Sequence, residues 1–224
     1  MKITDERTEV FIRSFDEGDP AYLEEIAAEA LEEGVPIIRR STRNFIRTLL
    51  RMQKPEHILE VGTAVGFSAL LFCEYAPPGV KVDTIENYEE RIVKARENIR
   101  LSGREEQINL IPGDAGEILK SLSGPYDMIF MDAAKAQYIN WLPDVLRLLS
   151  PGGILLSDNV LQEGDILESH YLVERRDRTI YKRMREYLFS ITHHPDLTTS
   201  ILPVGDGLAL SVKNQENRQD TQIK

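Results

Sequence analysis

The sequence predicts one α/β domain with a mostly parallel, seven-stranded sheet, an antiparallel last strand and helices on both faces. Short apolar runs alternate with helical stretches after Pro55, which is typical of parallel β–α–β units joined by right-handed crossovers. Only GDG separates the last two runs, SILPV and LALSV, and this spacing indicates a closing hairpin. The length of 224 residues and the hydrophobic content of 42% suit a single domain with a sizeable core.

The apolar pattern predicts the elements in order. It indicates a helix over 22–33, stopped by Gly34 and Pro36, and a second helix for which Ser41 is a candidate N-cap. The next strands are HILEV, VDTIE, INLIP, YDMIFMD and GGILLSD, and the helices after them cover 68–75, 88–101, 115–122, 138–149 and 179–190. We therefore expect a helical extension packed on the core over 1–54, a main domain over 55–213 and a disordered tail over 214–224.

The composition narrows the class of protein. No apolar run approaches the ~20 residues that span a bilayer, and the segment MKITDERTEV has no apolar signal-peptide core. The single cysteine, Cys73, cannot form an internal disulfide, so we expect a cytoplasmic protein. The net charge of −10 argues against indiscriminate binding to nucleic acids.

Two segments are nevertheless strongly basic. Residues 39–54 hold six basic residues and no acid, and residues 175–185 hold six basic residues and one acid. In the first segment Arg43, Arg47 and Arg51 recur every four residues, so they share one helix face. The two segments are either ordinary solvated helix faces or a surface that binds a polyanion.

A glycine loop, EVGTAVGFS, follows the first strand and opens a helix. Gly62 and Gly66 permit a tight turn and a close approach to a ligand, and the helix N-terminus favours acceptors and negative charge. Ala64 replaces the second glycine of the dinucleotide fingerprint, which weakens the case for a pyrophosphate. Glu86 ends the second strand, where an acid can accept both hydroxyls of a ribose, and Asp114 follows the third strand, near the expected adenine edge. The alternative is a glycine turn in an unrelated α/β protein.

Acids also end the fourth and fifth strands. Asp132 closes one, and Asp158 with Asn159 closes the other. Neighbouring parallel strands end in the same crevice, and like charges there are costly unless a cation joins them. An all-oxygen ligand set selects a hard cation, Mg²⁺ or else Mn²⁺ or Ca²⁺, over zinc. Alternatively, Asp132 caps a helix and Asp158 with Asn159 forms a turn.

These motifs together resemble the S-adenosylmethionine-dependent methyltransferases with a Rossmann-like fold. DAAK and SDNV sharpen the resemblance to the cation-dependent catechol and caffeoyl-CoA O-methyltransferases. The resemblance implies that Asp132, Asp158 and Asn159 hold Mg²⁺ and that Lys135 is the catalytic base, with Asp132 also in the catalytic centre. The cofactor positions that it implies are Ile38, Glu60, Gly62, Gly66, Ser68, Glu86, Asp114, Ala115 and Asp132.

The substrate expectation rests on a finer resemblance. Four stretches are similar to a bacterial branch of the family that methylates 5-hydroxyuridine at the tRNA wobble position: VPI, DAAKAQY, SDNVLQEG and ILPVGDGLALS. This resemblance implies that the partner is a tRNA anticodon stem-loop. We also expect a homodimer. A flipped base would chelate the metal through vicinal oxygens while cations contact phosphates. The candidate contacts are Arg43, Arg47, Arg175, Arg176, Arg178, Lys182 and Arg183.

Several alternatives stay open at this point. Tyr138 could stack on the base, although a core tyrosine is the more usual outcome. The four histidines show no ligand spacing with the acids. The rival functions are a small-molecule catechol-type O-methyltransferase, a non-catalytic protein that binds tRNA or the cofactor on the same fold, and a nicotinamide-dependent oxidoreductase.

Overall fold

A computed structural model of the chain describes residues 6–168 and 174–215. Most of the predicted tail and His170 lie outside the described residues. The helices are α1 (Glu6–Arg13), α2 (Ala21–Glu32), α3 (Arg40–Gln53), α4 (Phe67–Tyr75), α5 (Glu89–Leu101), α6 (Ala115–Ser121), α7 (Tyr138–Leu148) and α8 (Arg178–Thr192). The strands are β1 (His57–Val61), β2 (Lys81–Glu86), β3 (Ile108–Pro112), β4 (Tyr126–Met131), β5 (Leu149–Ser157), β6 (Leu197–Leu202) and β7 (Leu208–Lys213).

The seven strands form one sheet in the order β3-β2-β1-β4-β5-β7-β6. Pairs from β3 to β5 are parallel, while β7 lies between β5 and β6 and runs antiparallel to both. The predicted fold class is therefore confirmed, including the reversed last strand. The strands that follow β1 in the chain, β2 and β3, lie on one side of it, whereas β4 and β5 lie on the other side. Open α/β sheets bind ligands at such a switch point, here between β1 and β4.

The two faces of the sheet carry separate helical layers. Side chains of a strand alternate between faces, so Ile58 packs into a cluster with α2, α3 and α4, whereas Leu59 and Val61 pack into a cluster with α6, α7 and α8. Because both faces are covered, the central strands are almost continuously apolar. This explains why uninterrupted runs in the sequence marked the strands.

Two details differ from the sequence prediction. The helix α3 begins at Arg40 with Arg39 at the N-cap position and no side-chain cap, so Ser41 lies inside the first turn and the predicted cap is wrong. The helix α1 was not predicted, and its side chains Val10 and Phe11 are 60% and 65% exposed. Among the described residues, no helix is both long and apolar enough to cross a bilayer.

Candidate active site

One cavity of about 1000 Å³ opens at the carboxyl ends of the parallel strands. Its walls come from the α2–α3 linker, the glycine loop, and the segments that directly follow β2, β3, β4 and β5. Of the predicted cofactor residues, those that line it are Ile38, Gly62, Ser68, Glu86, Asp114, Ala115 and Asp132. Because parallel strands deliver their ends to one edge, residues up to about 120 positions apart in sequence (Ile38 to Asp158) meet in one crevice.

Gly62 permits the closest backbone approach in this cavity. Its φ angle is +106°, and a Cβ atom there would lie 2.2 Å from the carbonyl oxygen of Asp132. The glycine loop after β1 can therefore pack against the end of β4 only because position 62 lacks a side chain. Gly66 has a φ of +84°, and a Cβ atom there would lie 3.5 Å from Ala95 on α5. It shapes the loop without lining the cavity.

Glu86 braces the glycine loop with both carboxylate oxygens. One oxygen accepts a hydrogen bond from the backbone N–H of Ala64 at 2.9 Å. The other accepts from the N–H groups of Asn87 and Tyr88, each at 3.0 Å. A carboxylate offers about four acceptor positions, so Glu86 keeps capacity for hydroxyl donors on the cavity side.

Glu60 does not reach the cavity, which corrects its prediction as a direct cofactor contact. The side chain is fully buried under the glycine loop, where Oε2 accepts a hydrogen bond from the Thr84 hydroxyl. The other oxygen, Oε1, has no hydrogen-bond partner among the described residues. Burial raises the pKa of Glu60 to about 7, partly offset by the hydroxyls of Ser68 and Thr84. The carboxyl group thus supports the loop from behind.

Asp132 and Asp158 stand side by side at the ends of β4 and β5. The preceding residues, Met131 and Ser157, are register partners, and the Asp158 N–H donates to the Met131 carbonyl at 3.0 Å. Asp158 is 1% exposed. Burial and the charge of Asp132 raise the pKa of Asp158 above its ordinary value, and Lys135 opposes this shift. Asn159 also lines the cavity, next to the two aspartates. Its backbone N–H donates to Asp158 Oδ1 at 2.7 Å.

This donor set fits a hard divalent cation. Among the described residues there is no cluster of three or more His, Cys, Asp or Glu side chains able to hold a metal, and the set here has two carboxylates and an amide instead. All three donors are oxygens, the ligand type of Mg²⁺. Two crowded carboxylates, one of them buried, are the arrangement that a cation would relieve.

Lys135 begins a short 3₁₀ turn, Lys135–Gln137, directly after Asp132 and two alanines. Its Nζ lies 2.6 Å from Asp132 Oδ1 and 3.3 Å from the Tyr138 hydroxyl. Tyr138 is fully buried, so it is a core residue and cannot stack on a ligand. Lys135 lines the cavity beside the carboxylates, and the buried Tyr138 anchors the turn.

The sequence did not reveal every residue at the cavity. Trp141, the chain's single tryptophan, lines the wall near Gly116, at which a Cβ would lie 3.2 Å from Trp141 Nε1. Arg39 also lines the cavity and lies 3.9 Å from Asp206 in the β6–β7 turn. The helical period of α7 could have indicated which face carries Trp141, but its proximity to Gly116 on α6 depends on the tertiary fold.

The structure separates the basic candidates into two groups. Arg43 is buried, stacks 4.3 Å from the Phe67 ring centroid and pairs with Asp19 at 3.5 Å. Arg47 pairs with Asp16 at 3.2 Å. The prediction of Arg43 as a phosphate contact is wrong, because its guanidinium is enclosed, and Arg47 already has acidic partners. Arg183 donates to the Ala136 carbonyl at 3.2 Å, whereas Arg175, Arg176 and Lys182 are exposed.

Several known proteins are similar to this chain in sequence. The sequence profile of the O-methyltransferase family matches residues 13–214. A catechol O-methyltransferase from Mycobacterium tuberculosis is 30% identical over 202 residues, which is 87% of this chain and 89% of that protein. A catechol O-methyltransferase from Niastella koreensis is 32% identical over 145 residues, 62% of this chain and 66% of that one.

A solved structure extends the likeness to the whole fold. The methyltransferase PaMTH1 from Podospora anserina, with bound S-adenosylhomocysteine (SAH), has a TM-score of 0.84 and 26% identity, and the match covers 93% of this chain and 94% of that one. The cavity at the strand ends and the paired acids are consistent with these matches. The chain belongs to the O-methyltransferase family.

Proposed function

We propose that this protein transfers a methyl group from S-adenosylmethionine to the 5-hydroxyl of 5-hydroxyuridine at the tRNA wobble position, forming 5-methoxyuridine, with the help of Mg²⁺. One observation carries the choice of substrate. Arg183 of the basic helix α8 donates to the carbonyl of Ala136, the residue after Lys135. The basic helix α8 therefore packs against the turn that holds the proposed base, and Lys182, the residue before Arg183, is exposed.

The methyl donor fits the cavity described above. Glu86 would accept the ribose hydroxyls, and Asp114, Ala115 and Trp141 line the part of the wall beyond β3. Support comes from PaMTH1, whose solved structure contains SAH, the demethylated form of the donor. The glycine loop then passes close to the donor because position 62 has no side chain.

Lys135 would remove the proton from the acceptor hydroxyl. The oxygen attacks the methyl carbon in line with the sulfur, the S–C bond breaks as the O–C bond forms, and the sulfur keeps the bonding electron pair. Asp132, Asp158 and Asn159 would hold Mg²⁺, which when bound fixes vicinal substrate oxygens and lowers the pKa of one. The chain's own contribution is alignment of hydroxyl, lysine and donor, which supplies much of the rate.

Methylation of tRNA tests the proposal directly. Bulk tRNA from a strain that lacks the modification is incubated with the protein, Mg²⁺ and labelled S-adenosylmethionine, and its nucleosides are separated. We expect strong label in 5-methoxyuridine for the unaltered protein and only slow, residual labelling for Lys135→Ala. Labelled nucleosides other than 5-methoxyuridine, or no label at all, would contradict the tRNA assignment.

A small-molecule catechol-type substrate is the second candidate. It is favoured by the relatives named catechol O-methyltransferase and by the acidic partners of Arg43 and Arg47, which remove part of the basic surface. A simple catechol such as 3,4-dihydroxybenzoate separates the two. Turnover of the catechol with no methylation of tRNA would select this candidate.

The metal proposal has a readout that does not need turnover. We expect Mg²⁺ to raise the melting temperature of the protein, because a ligand that binds only the folded state stabilises it. Asp158→Asn should lose this rise, and Asp83→Asn, which alters a carboxylate at the opposite end of the sheet, should keep it. An equal rise in both variants would place the cation elsewhere.

We also propose that the protein acts as a homodimer. Support comes from apolar side chains near the N-terminus, where Phe11 and Phe15 are 65% and 73% exposed, because such patches commonly mark contacts between proteins. Sedimentation equilibrium tests this, and a monomer at all concentrations would refute it.

A further inference from the structure

The hydroxyl of Tyr138 joins the proposed base to the two strands that carry the carboxylates. Its oxygen lies 2.8 Å from the Met131 carbonyl, 3.5 Å from the Asp158 carbonyl and 3.3 Å from Lys135 Nζ. Met131 precedes Asp132, so this single buried hydroxyl touches the ends of both β4 and β5 together with the lysine.

The hydrogen-bond directions at this oxygen follow from its single proton. Both carbonyls are acceptors only, and the shorter distance assigns the proton to Met131. The lone pairs of the hydroxyl are then available to an N–H of Lys135, which donates to it at 3.3 Å. A phenol is neutral near pH 7, so Tyr138 keeps its proton and this direction.

The ring is fixed by its surroundings. Tyr138 is 0% exposed, and the ring of Tyr187 meets it edge-on with centroids 5.4 Å apart. A lysine that removes a proton must be the neutral amine, which has two N–H donors and one lone pair. Asp132 Oδ1 and the Tyr138 hydroxyl take the two donors, so the direction of the lone pair is set by these two held neighbours.

We infer that Tyr138 is a positioning residue that orients Lys135 for proton removal, acting through its hydroxyl and not through its ring. The inference rests on the proposed role of Lys135 as the base. A phenylalanine would fill the same core space without the free-energy cost of burying an unpaired hydroxyl. The Tyr138 hydroxyl is not unpaired, because it lies where three groups of the site converge: the Met131 carbonyl, the Asp158 carbonyl and Lys135 Nζ.

The test compares Tyr138→Phe with the unaltered protein on tRNA that lacks the modification and on 3,4-dihydroxybenzoate. We expect kcat to fall about tenfold, a typical result of losing one hydrogen bond to a charged group. KM for S-adenosylmethionine and the Kd for SAH should not change, because Tyr138 does not line the cavity. The melting temperature reports whether the core is intact.

A double variant shows whether the effect passes through the lysine. In a Lys135→Ala background, Tyr138→Phe should cause no further loss, because residues that act as a unit are not additive. The matched control is Tyr126→Phe, which removes a buried hydroxyl bonded to Asp83 at the far end of β4 and should leave kcat unchanged.

The outcomes separate this inference from the function on which it rests. If Lys135→Ala retains full turnover, or the unaltered protein methylates neither acceptor, the proposed function fails and the inference with it. If Lys135→Ala is inactive while Tyr138→Phe keeps its kcat, or if Tyr126→Phe loses as much as Tyr138→Phe, the inference alone is overturned.

Discussion

Replacing Gly62 by alanine tests how the glycine loop and the proposed metal ligand depend on each other. The new Cβ would lie 2.2 Å from the Asp132 carbonyl oxygen and 2.8 Å from its carbonyl carbon. Contacts under 3.0 Å are essentially never seen for real Cβ atoms. The oxygen must therefore move by at least about 0.8 Å, the difference between 3.0 and 2.2 Å, or the loop must move instead.

The magnitude follows from this displacement. A shift of about 1 Å at a reacting group can cost about 100-fold in rate, and Asp132 carries both the lysine contact and a proposed ligand. The positive φ adds a backbone cost of roughly 1–2 kcal/mol for any residue with a Cβ. We expect kcat/KM to fall about 100-fold in a folded protein with a slightly lowered melting temperature.

The control isolates the steric effect from the backbone cost. Gly79 has a φ of +89°, and a Cβ there would meet nothing within 4 Å. Gly79→Ala should share the loss of stability, about 2–4 °C in melting temperature per kcal/mol for a domain of this size, but keep its turnover. Methyl transfer and thermal unfolding are measured on both variants. Equal turnover in Gly62→Ala and Gly79→Ala would refute the reasoning.

Two further predictions concern buried charges. Arg43→Met should destabilise the protein by about 1–3 kcal/mol in urea unfolding, because the enclosed Asp19 loses one of its two cations and keeps only Arg47 at 3.6 Å. Lys182→Gln on the surface should change stability by less than about 0.5 kcal/mol. Equal effects of the two variants would contradict the burial of Arg43. Glu60→Gln should remove part of the pH dependence of stability. The unfolded Glu60 ionises near its ordinary pKa of 4.5 but the folded one only near 7, so rising pH destabilises the unaltered protein between these values by about 3 kcal/mol. Asp158 contributes in the same direction to both proteins, so their difference in unfolding free energy at pH 5 and pH 8 isolates Glu60, and parallel pH profiles would count against it.

The strands and the cavity could be predicted because they depend on local patterns. A strand covered on both faces must be apolar along its length, so the runs before Asp132 and Asp158 marked both the strands and their ends. The topology rules then required these ends to be adjacent, and the register of Met131 with Ser157 confirms it. The placement of Glu60 was harder, since its position next to the loop does not say whether its side chain faces the ligand or the core.

The misassigned arginines show what a local pattern cannot supply. Spacing places Arg43 and Arg47 on one face of α3, and the structure agrees, but that face meets Asp16 and Asp19 from the loop between α1 and α2. Only part of the charge counted along 39–54 is therefore displayed on the surface, by Arg39, Arg51 and Lys54. The acids that neutralise Arg43 and Arg47 lie more than twenty residues earlier and come into contact only when α3 packs on the core.

This neutralisation changes what tRNA binding should look like. The twelve basic residues of the two segments would suggest a steep salt dependence, but Arg43 is enclosed, Arg40 and Arg47 are paired, and Arg183 and Arg185 donate to backbone carbonyls. Arg176 and Lys182 also have acidic partners, Glu174 and Glu186, but these pairs are exposed to solvent and can exchange an acid for a phosphate. If Arg175, Arg176 and Lys182 make the main phosphate contacts, each contributes roughly 0.7–0.9 to the slope. Log affinity for an anticodon stem-loop should then fall with log salt with a slope of about −2 to −3, and Lys182→Gln should reduce it by about one. A slope near −8 would mean that α3 also faces the phosphates, against the ion pairs found there.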